Sequence, residues 1–131
     1  MKTTISHIEN KIYNIRGVQV MLDSDLAEMY ETELRVLNQA VKRNSERFPG
    51  NFCFQLTTDE WHFLRSQIVI LENGGKGKHK KYMPFVFTEQ GVAMLSGILR
   101  SEIAIRVSIQ IIQAFVAMRR TMGQLHGVIQ R

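Results

Sequence analysis

Apolar residues alternate with polar or smaller ones in two short stretches of the chain, and this period of two predicts β-strands. Ile12 to Leu22 reads as two short strands around Arg16-Gly17. Phe52, Phe54 and Leu56 alternate with smaller or polar residues and predict a third strand. Tyr82 to Phe87 returns to extended structure, and Pro84 favours an edge position there because proline cannot donate to a ladder.

Between Leu22 and Phe52 the apolar period changes to that of a helix. Ser24 or Asp25 is expected to cap a first short helix, which packs through Leu26, Ala27 and Tyr30. A turn at Glu31-Thr32 leads to a second helix over about residues 33–47, which Pro49-Gly50 stops. Leu34, Leu37 and Val41 form its apolar stripe.

Three more helices are predicted from caps and spacing. Thr57 and Glu60 form a capping box for a helix through about Gln67 that directs Trp61 and Leu64 inward; Ile68 to Leu71 is helix or strand. Thr88 caps the next helix, and Ser101-Glu102 begins a long last helix to about Met122. The fold class is therefore α+β: a helix-turn-helix-containing domain with a small antiparallel sheet and a long C-terminal helix.

The last helix carries two apolar stripes, so it is apolar over a wide arc. One stripe is Ala104, Val107, Ile111, Phe115, Met118 and Met122, and the other is Ile105, Ile109, Ile112 and Val116. A helix of this kind is buried on more than one side. The residues from Ile103 to Met122 therefore predict a central core helix, a homodimer surface, or both.

The outward face of the second predicted helix is basic and rich in amides. Arg35, Asn38, Gln39 and Lys42 share that face at helical spacing. Arginine pairs well with guanine edges, and asparagine or glutamine pairs with adenine, so these four are candidate base-reading residues. Arg43 and Arg47, near the end of the helix, are candidate phosphate contacts. The alternative is an ordinary solvated helix face.

Charge supports a polyanionic partner. The chain has 131 residues, a formal net charge of +5 and a sequence pI near 9.7, which favours double-stranded DNA as the partner. Glu72 to Lys81 is a glycine-rich loop whose four lysines are further candidate phosphate contacts: Lys76, Lys78, Lys80 and Lys81. A merely solvated loop is the alternative. The glycine and lysine residues of this loop lack the spacing of a nucleotide-binding P-loop.

Residue patterns for catalysis or metal binding are not found in the sequence. His7, His62, His79 and His126 stand far apart, without the spacing of metal ligands. The single cysteine, Cys53, lies between phenylalanines, and we expect a buried, reduced thiol. We therefore predict no enzyme, no catalytic residue, no metal and no cofactor. The N-terminus lacks a signal-peptide core and no stretch is long enough for a membrane span, so a cytoplasmic, soluble protein is expected.

Several segments together resemble one known family. The segments LDSDLAEMY, NQAVKRNSERFP, FQLT and FTEQGVAML, with the basic loop between the last two, are distinctive in combination. The chain resembles the phage "open reading frame six" N-terminal domain of the KilA N-terminal DNA-binding superfamily. The resemblance covers about Ile12 to Arg119.

This resemblance implies a DNA-binding module of a phage or prophage transcriptional regulator or antirepressor. The expected organisation is an N-terminal extension at 1–11, a KilA-N-like domain at 12–122 and a flexible tail at 123–131. The alternative function is a protein-interaction antirepressor module that binds another regulator rather than DNA, through the apolar last helix.

Overall fold

The first two strands form a hairpin that a two-residue turn closes. The computed structural model describes residues 5–72 and 82–129. Strand β1 (Tyr13–Ile15) pairs antiparallel with β2 (Val18–Leu22), with Tyr13 opposite Val20 and Ile15 opposite Val18. The turn residues Arg16 and Gly17 have φ of 57° and 78°, as the two central residues of a type I′ turn require. The predicted pair of strands around Arg16-Gly17 is confirmed.

The complete sheet has four strands in the order β1-β2-β4-β3, and every neighbouring pair is antiparallel. Strand β3 is Cys53–Gln55 and β4 is Phe85–Phe87. The prediction of an edge position at Pro84 is wrong, because β4 lies between β2 and β3. Pro84 itself precedes the strand, where its missing N–H costs no ladder bond. Its carbonyl accepts from the Leu56 N–H at 3.0 Å.

Successive side chains of a strand point to opposite faces of the sheet. Each face of this sheet packs in a separate hydrophobic core. Met21, Cys53 and Phe87 belong to the larger core, which α-helices cover. Val20, Leu22 and Val86 belong to a smaller core on the opposite face. Helix α4 (Thr58–Glu72) closes the smaller core with Trp61 and Leu64, which are both buried as predicted.

The remaining helices surround the larger core. They are α1 (Ile5–Glu9), α2 (Asp23–Met29), α3 (Leu34–Arg43), α5 (Glu89–Leu99) and α6 (Glu102–Ile129). The long helix α6 contacts both α1 and α5. Ile8 of α1 is fully buried, so residues predicted as an N-terminal extension contribute to the core. The fold class, α+β with a small antiparallel sheet and a long C-terminal helix, is confirmed.

Side-chain caps begin three helices, and the predicted ones, at Thr57 and Thr88, are confirmed. Thr57 and Glu60 form a reciprocal capping box: the Thr57 N–H donates to Glu60 Oε1 at 2.8 Å, and the Glu60 N–H donates to Thr57 Oγ1 at 3.1 Å. Thr88 Oγ1 accepts from the Gly91 N–H, and Ser101 Oγ accepts from the Ala104 N–H. These bonds satisfy backbone donors that a helix start leaves without an intrahelical partner.

The predicted side-chain cap on α2 is wrong. Leu22 occupies the capping position without a side-chain hydrogen bond, and the helix already begins at Asp23. The carboxylate of Asp23 instead lies in the interior, at 2% exposure. Asp23, the first residue of α2, accepts hydrogen bonds from Asn38 and from the Phe85 N–H.

Two helix ends also differ from the expected ones. Helix α3 ends at Arg43, and a separate 3-10 helix follows at Ser45–Arg47. The Asn44 amide Nδ2 donates to the Ala40 carbonyl at 2.8 Å and so competes with the next helical turn. The last helix, in contrast, runs past Met122 to Ile129. Residues 68–72 continue α4 as helix.

Gly91 allows α5 to approach the loop before β3. A Cβ atom on this residue would lie 2.1 Å from the carbonyl oxygen of Phe52. The Phe52 carbonyl also accepts from the Thr88 N–H at 3.0 Å. A glycine in the first turn of α5 is therefore needed for helix and sheet to pack this closely.

Candidate nucleic-acid interface

Helices α2 and α3 are joined by a tight turn at residues 30–33. Glu31 has a left-handed backbone, with φ of 59°. The Thr32 N–H donates to the Ala27 carbonyl at 3.0 Å, and the Glu31 N–H donates to the Glu28 carbonyl at 3.1 Å. This pair of bonds is the Schellman arrangement, in which glycine usually occupies the left-handed position. Glutamate occupies it here, so a search for glycine in the turn would miss the motif.

The inner side of α3 holds the helix in the larger core. Leu37 is fully buried and Ala40 is 9% exposed. Leu34 and Val41 are half-buried and pack against the same core. The predicted apolar stripe of Leu34, Leu37 and Val41 is therefore the inner side of the helix. With the stripe fixed inward, the opposite side must face out.

The outer side of α3 is cationic. We use "the α3 outer face" for its exposed residues Arg35, Val36, Gln39, Lys42 and Arg43. The ten residues of α3 include three cations and no carboxylate. At about 100° per residue, Gln39 lies near the middle of this face and Arg43 lies beside it. The structure thus brings Arg35, Gln39 and Lys42 together on one surface, and it places Arg43 on the same surface.

Asn38 lies at the margin of that surface and its amide faces the protein. Its Nδ2 donates to Asp23 Oδ2 at 3.3 Å. The same carboxylate oxygen accepts from the Phe85 N–H of β4 at 3.2 Å. Asp23 therefore connects α2, α3 and the sheet. Base reading by Asn38 stays a prediction, but its amide already has a partner within the fold.

Arg35 has an acidic neighbour at the start of the helix. Its Nη2 lies 3.1 Å from Glu33 Oε1, and both side chains are about 70% exposed, at 70% and 72%. Exposed pairs of this kind contribute little free energy and exchange readily with solvent. The pair therefore holds Arg35 only weakly, and a stronger anionic partner can displace Glu33.

The other predicted phosphate contacts fall in two places. Arg47 is exposed at the end of the 3-10 helix that follows α3. The four loop lysines, Lys76, Lys78, Lys80 and Lys81, lie outside the described residues.

Arg16 forms a clamp that the sequence did not reveal. Its Nε lies 2.7 Å from Glu60 Oε2, its Nη2 lies 3.0 Å from Glu60 Oε1, and its guanidinium carbon lies 4.2 Å from the centre of the Phe54 ring. The Glu60 hydrogen bond raises the pKa of Arg16, and the Arg16 hydrogen bond lowers the pKa of Glu60. This cation is therefore held by the fold and differs from the cations of α3.

Two titratable side chains away from this surface, Cys53 and Tyr30, are buried in the core. Burial, with a smaller contribution from the Asp23 charge, raises the pKa of Cys53 to about 12, so the thiol stays protonated as expected of a buried cysteine. Burial raises the pKa of Tyr30 to about 12 although its hydroxyl bonds Ser108 Oγ at 2.7 Å. Within residues 5–72 and 82–129, no group of three or more His, Cys, Asp or Glu side chains is placed to hold a metal ion.

No helix in the described parts of the chain, residues 5–72 and 82–129, is both long enough and apolar enough to cross a membrane.

Comparison with protein-family models shows which family the chain belongs to. No curated protein and no solved structure matches the chain. The model of the ORF6N domain matches residues 10–98, which is more than half of the sequence. ORF6N is a phage regulatory type of domain and is not a known enzyme family. The match agrees with the resemblance found in LDSDLAEMY and FTEQGVAML, and the chain belongs to the ORF6N domain family.

Proposed function

We propose that this chain is a double-stranded DNA-binding domain of a phage or prophage transcriptional regulator, in which α2 and α3 act as a helix-turn-helix. One observation carries the proposal: the α3 outer face presents cations and an amide with no carboxylate, on a helix whose other side is fixed in the core. In a helix-turn-helix the second helix enters the major groove and its N-terminal residues contact base edges.

Within this geometry, the residues divide by their position along α3. Arg35 lies in its first turn and Gln39 near its middle, and both are proposed to read bases, Arg35 at guanine and Gln39 at adenine. Val36 is 39% exposed beside them and offers an apolar contact for a thymine methyl group. Sequence reasoning missed Val36 because a lone exposed valine has no distinguishing pattern.

Cations toward the end of α3 are proposed to contact the DNA backbone. Arg43 and Arg47 are the main candidates, and Lys42 reaches either a base or a phosphate from the same surface. The loop lysines 76, 78, 80 and 81 remain proposed phosphate contacts. Asn38 is proposed to act mainly through Asp23, by fixing the rotation of α3 about its axis, and to reach a base only at the margin of the groove.

A titration of fluorescently labelled duplex, followed by anisotropy at several salt concentrations, tests the proposal. Binding should weaken steeply with salt, with a slope equivalent to several released counterions. Replacing Arg35 with alanine should cost about 1–3 kcal/mol of discrimination between duplexes. The matched control is Arg106→Ala, which removes an exposed arginine from α6 instead. Absence of duplex binding at low salt would overturn the proposal.

A further inference from the structure

One side of α6 carries isoleucines that residues 5–72 and 82–129 leave largely exposed. Ile105 is 50% exposed and Ile109 is 52% exposed. Ile112 and Val116 continue the row and are half-buried. The other apolar stripe of the helix is the one the core uses: Ala104, Val107, Ile111 and Phe115 are all buried. The helix therefore has one row inside the domain and a second row at its surface.

The exposed row has the spacing of a helix–helix seam. Positions 105, 109, 112 and 116 are separated by four, three and four residues, which is the heptad spacing that keeps apolar residues facing a partner helix. The same spacing extended by one step in each direction reaches Glu102 and Arg119. We call Glu102, Ile105, Ile109, Ile112, Val116 and Arg119 "the α6 seam".

The two ends of the seam carry opposite charges. Glu102 and Arg119 are both exposed. When two copies of the seam pack antiparallel, Ile105 faces Val116 of the second copy and Ile109 faces Ile112. In that register each Glu102 faces an Arg119, so both ends form an ion pair. A parallel register would place Glu102 against Glu102 and Arg119 against Arg119, and like charges in contact are unfavourable.

Arg119 has a partner within its own chain and can still serve this role. Its Nη1 donates to Glu89 Oε1 of α5. A guanidinium has five N–H donors in a fork, so Arg119 can bond Glu89 and a carboxylate from a second copy together. Arg119 is 60% exposed, so the contact with Glu89 restrains its guanidinium only weakly and leaves it accessible to a second carboxylate.

We infer that the α6 seam is a self-association site, through which two copies of this chain pack antiparallel about a two-fold axis between Ile109 and Ile112. A second copy is the favoured occupant, because two seams that pack antiparallel place apolar residues against apolar residues and Glu102 against Arg119. This contact uses none of the α3 outer face, so the dimer forms whether or not the domain binds DNA. If both proposals hold, the dimer presents two α3 helices to two half-sites.

Cross-linking through introduced cysteines tests the orientation. We expect a mixture of Ile105→Cys and Val116→Cys chains to form a disulfide-linked heterodimer under mild oxidation, because antiparallel packing makes these positions neighbours. Ile105→Cys alone should not cross-link, since eleven residues of helix separate the two thiols by about 16 Å, beyond the reach of a disulfide. The wild-type chain is the blank, because Cys53 is buried. The reverse pattern would overturn the antiparallel register.

Sedimentation equilibrium tests the association itself. We expect wild-type chains to form dimers, and Ile109→Glu to raise the dimer dissociation constant about 100-fold, because each dimer would then bury two carboxylates in an apolar contact. Glu102→Arg should raise it about 10-fold by placing arginine against arginine; in a parallel dimer it would change nothing.

The matched control is Phe63→Glu on α4, because Phe63 is also a large exposed apolar residue, at 62%, but lies outside the seam. Circular dichroism checks that each variant is folded. If Ile109→Glu proves unfolded, the cysteine experiment still decides the question. A wild-type chain that sediments as a monomer up to its solubility limit overturns the proposal and leaves the seam to another partner.

Discussion

Helices α3 and α6 share one hydrophobic core yet present opposite outer surfaces. The inner residues Leu37 of α3 and Ile111 of α6 are both fully buried in the larger core. Outside, α3 shows arginine, lysine and glutamine, whereas α6 shows a row of isoleucines between one acid and one base. An inner stripe tells how a helix is held in the fold. The outer surface, which the core does not constrain, tells what the helix can bind.

The two helices are also held differently. Helix α3 is short and its orientation depends on a polar connection, from Asn38 to Asp23 and from Asp23 to the Phe85 N–H. Helix α6 is long and packs against both α1 and α5. A surface that reads bases needs a defined rotation about the helix axis, and a buried polar network provides such definition. An apolar seam tolerates more adjustment.

The largest predicted effect comes from removing the connection under α3. Asp23→Ala should lower the free energy of unfolding by about 2 kcal/mol, because partly buried donors on Asn38 and Phe85 lose their acceptor. DNA affinity should fall with it, while the α6 dimer should persist in the folded fraction. Urea unfolding and anisotropy titration measure the two effects. Asp23→Asn, which keeps an acceptor oxygen, should recover part of the loss; equal damage in both variants would contradict the bridging role.

The next largest effect is expected from reversing a charge on the α3 outer face, compared with the same reversal on α6. Arg43→Glu should weaken binding to every duplex by about 10-fold or more and reduce the salt slope by at least one counterion. Arg106→Glu makes the same change of net charge on α6 and should have a much smaller effect. Anisotropy titrations at matched ionic strength compare them. Equal losses would mean that net charge, and not the α3 surface, determines binding.

A smaller effect is expected at the Arg16–Glu60 clamp, which belongs to neither surface. Since folding lowers the pKa of Glu60, its contribution is fully present above the unfolded pKa and is lost as the pH falls through the folded pKa. Glu60→Gln should therefore be less stable than wild type at neutral pH, and the difference should shrink at strongly acidic pH. Urea unfolding across the acid range measures this difference. A constant difference would argue against a charged clamp.

The same clamp supplies a contrast for DNA binding. Arg16 is engaged by Glu60 and stacked on Phe54, so Arg16→Ala should leave the salt slope of duplex binding unchanged, unlike a loss of Arg43. A reduced slope would place the hairpin in the interface.

The smallest change in duplex affinity that we predict is a gain. Glu33→Gln removes the carboxylate beside Arg35 and one negative charge near the proposed groove, so duplex affinity should rise by about two- to five-fold, in line with the modest value of exposed ion pairs. Stability should change little. Anisotropy at low salt resolves a change of this size, and a weaker complex would indicate that Glu33 positions Arg35 productively.

Local signals in the sequence predicted much of the fold. The strands around Arg16-Gly17 and the capping box of Thr57 and Glu60 rest on neighbouring residues, and both are confirmed. The edge position of Pro84 failed because strand order depends on which distant strands pair, and one proline does not determine that. Helix α3 ends earlier than predicted because the Asn44 side chain donates to the Ala40 carbonyl, one turn back.

For the candidate site, too, local spacing was predictable from the sequence and long-range contacts were not. Helical spacing placed Arg35, Gln39 and Lys42 on one exposed side without knowledge of the rest of the chain. Spacing could not show that Asn38 bonds Asp23, because the position of the Asp23 carboxylate depends on β4, whose Phe85 N–H bonds the same oxygen. Nor could it find the clamp between Arg16 and Glu60, which lie 44 residues apart.

Selection of preferred duplexes from a random pool, with wild type and Gln39→Ala in parallel, tests most directly whether the α3 outer face reads DNA. Gln39 lies near the middle of that face and carries no charge, so its loss should preserve general affinity. We predict that wild type enriches a defined sequence and that Gln39→Ala loses preference at one or two base pairs of it, which should include an adenine. Recovery of an identical sequence by both chains, or of none by wild type, would contradict the account.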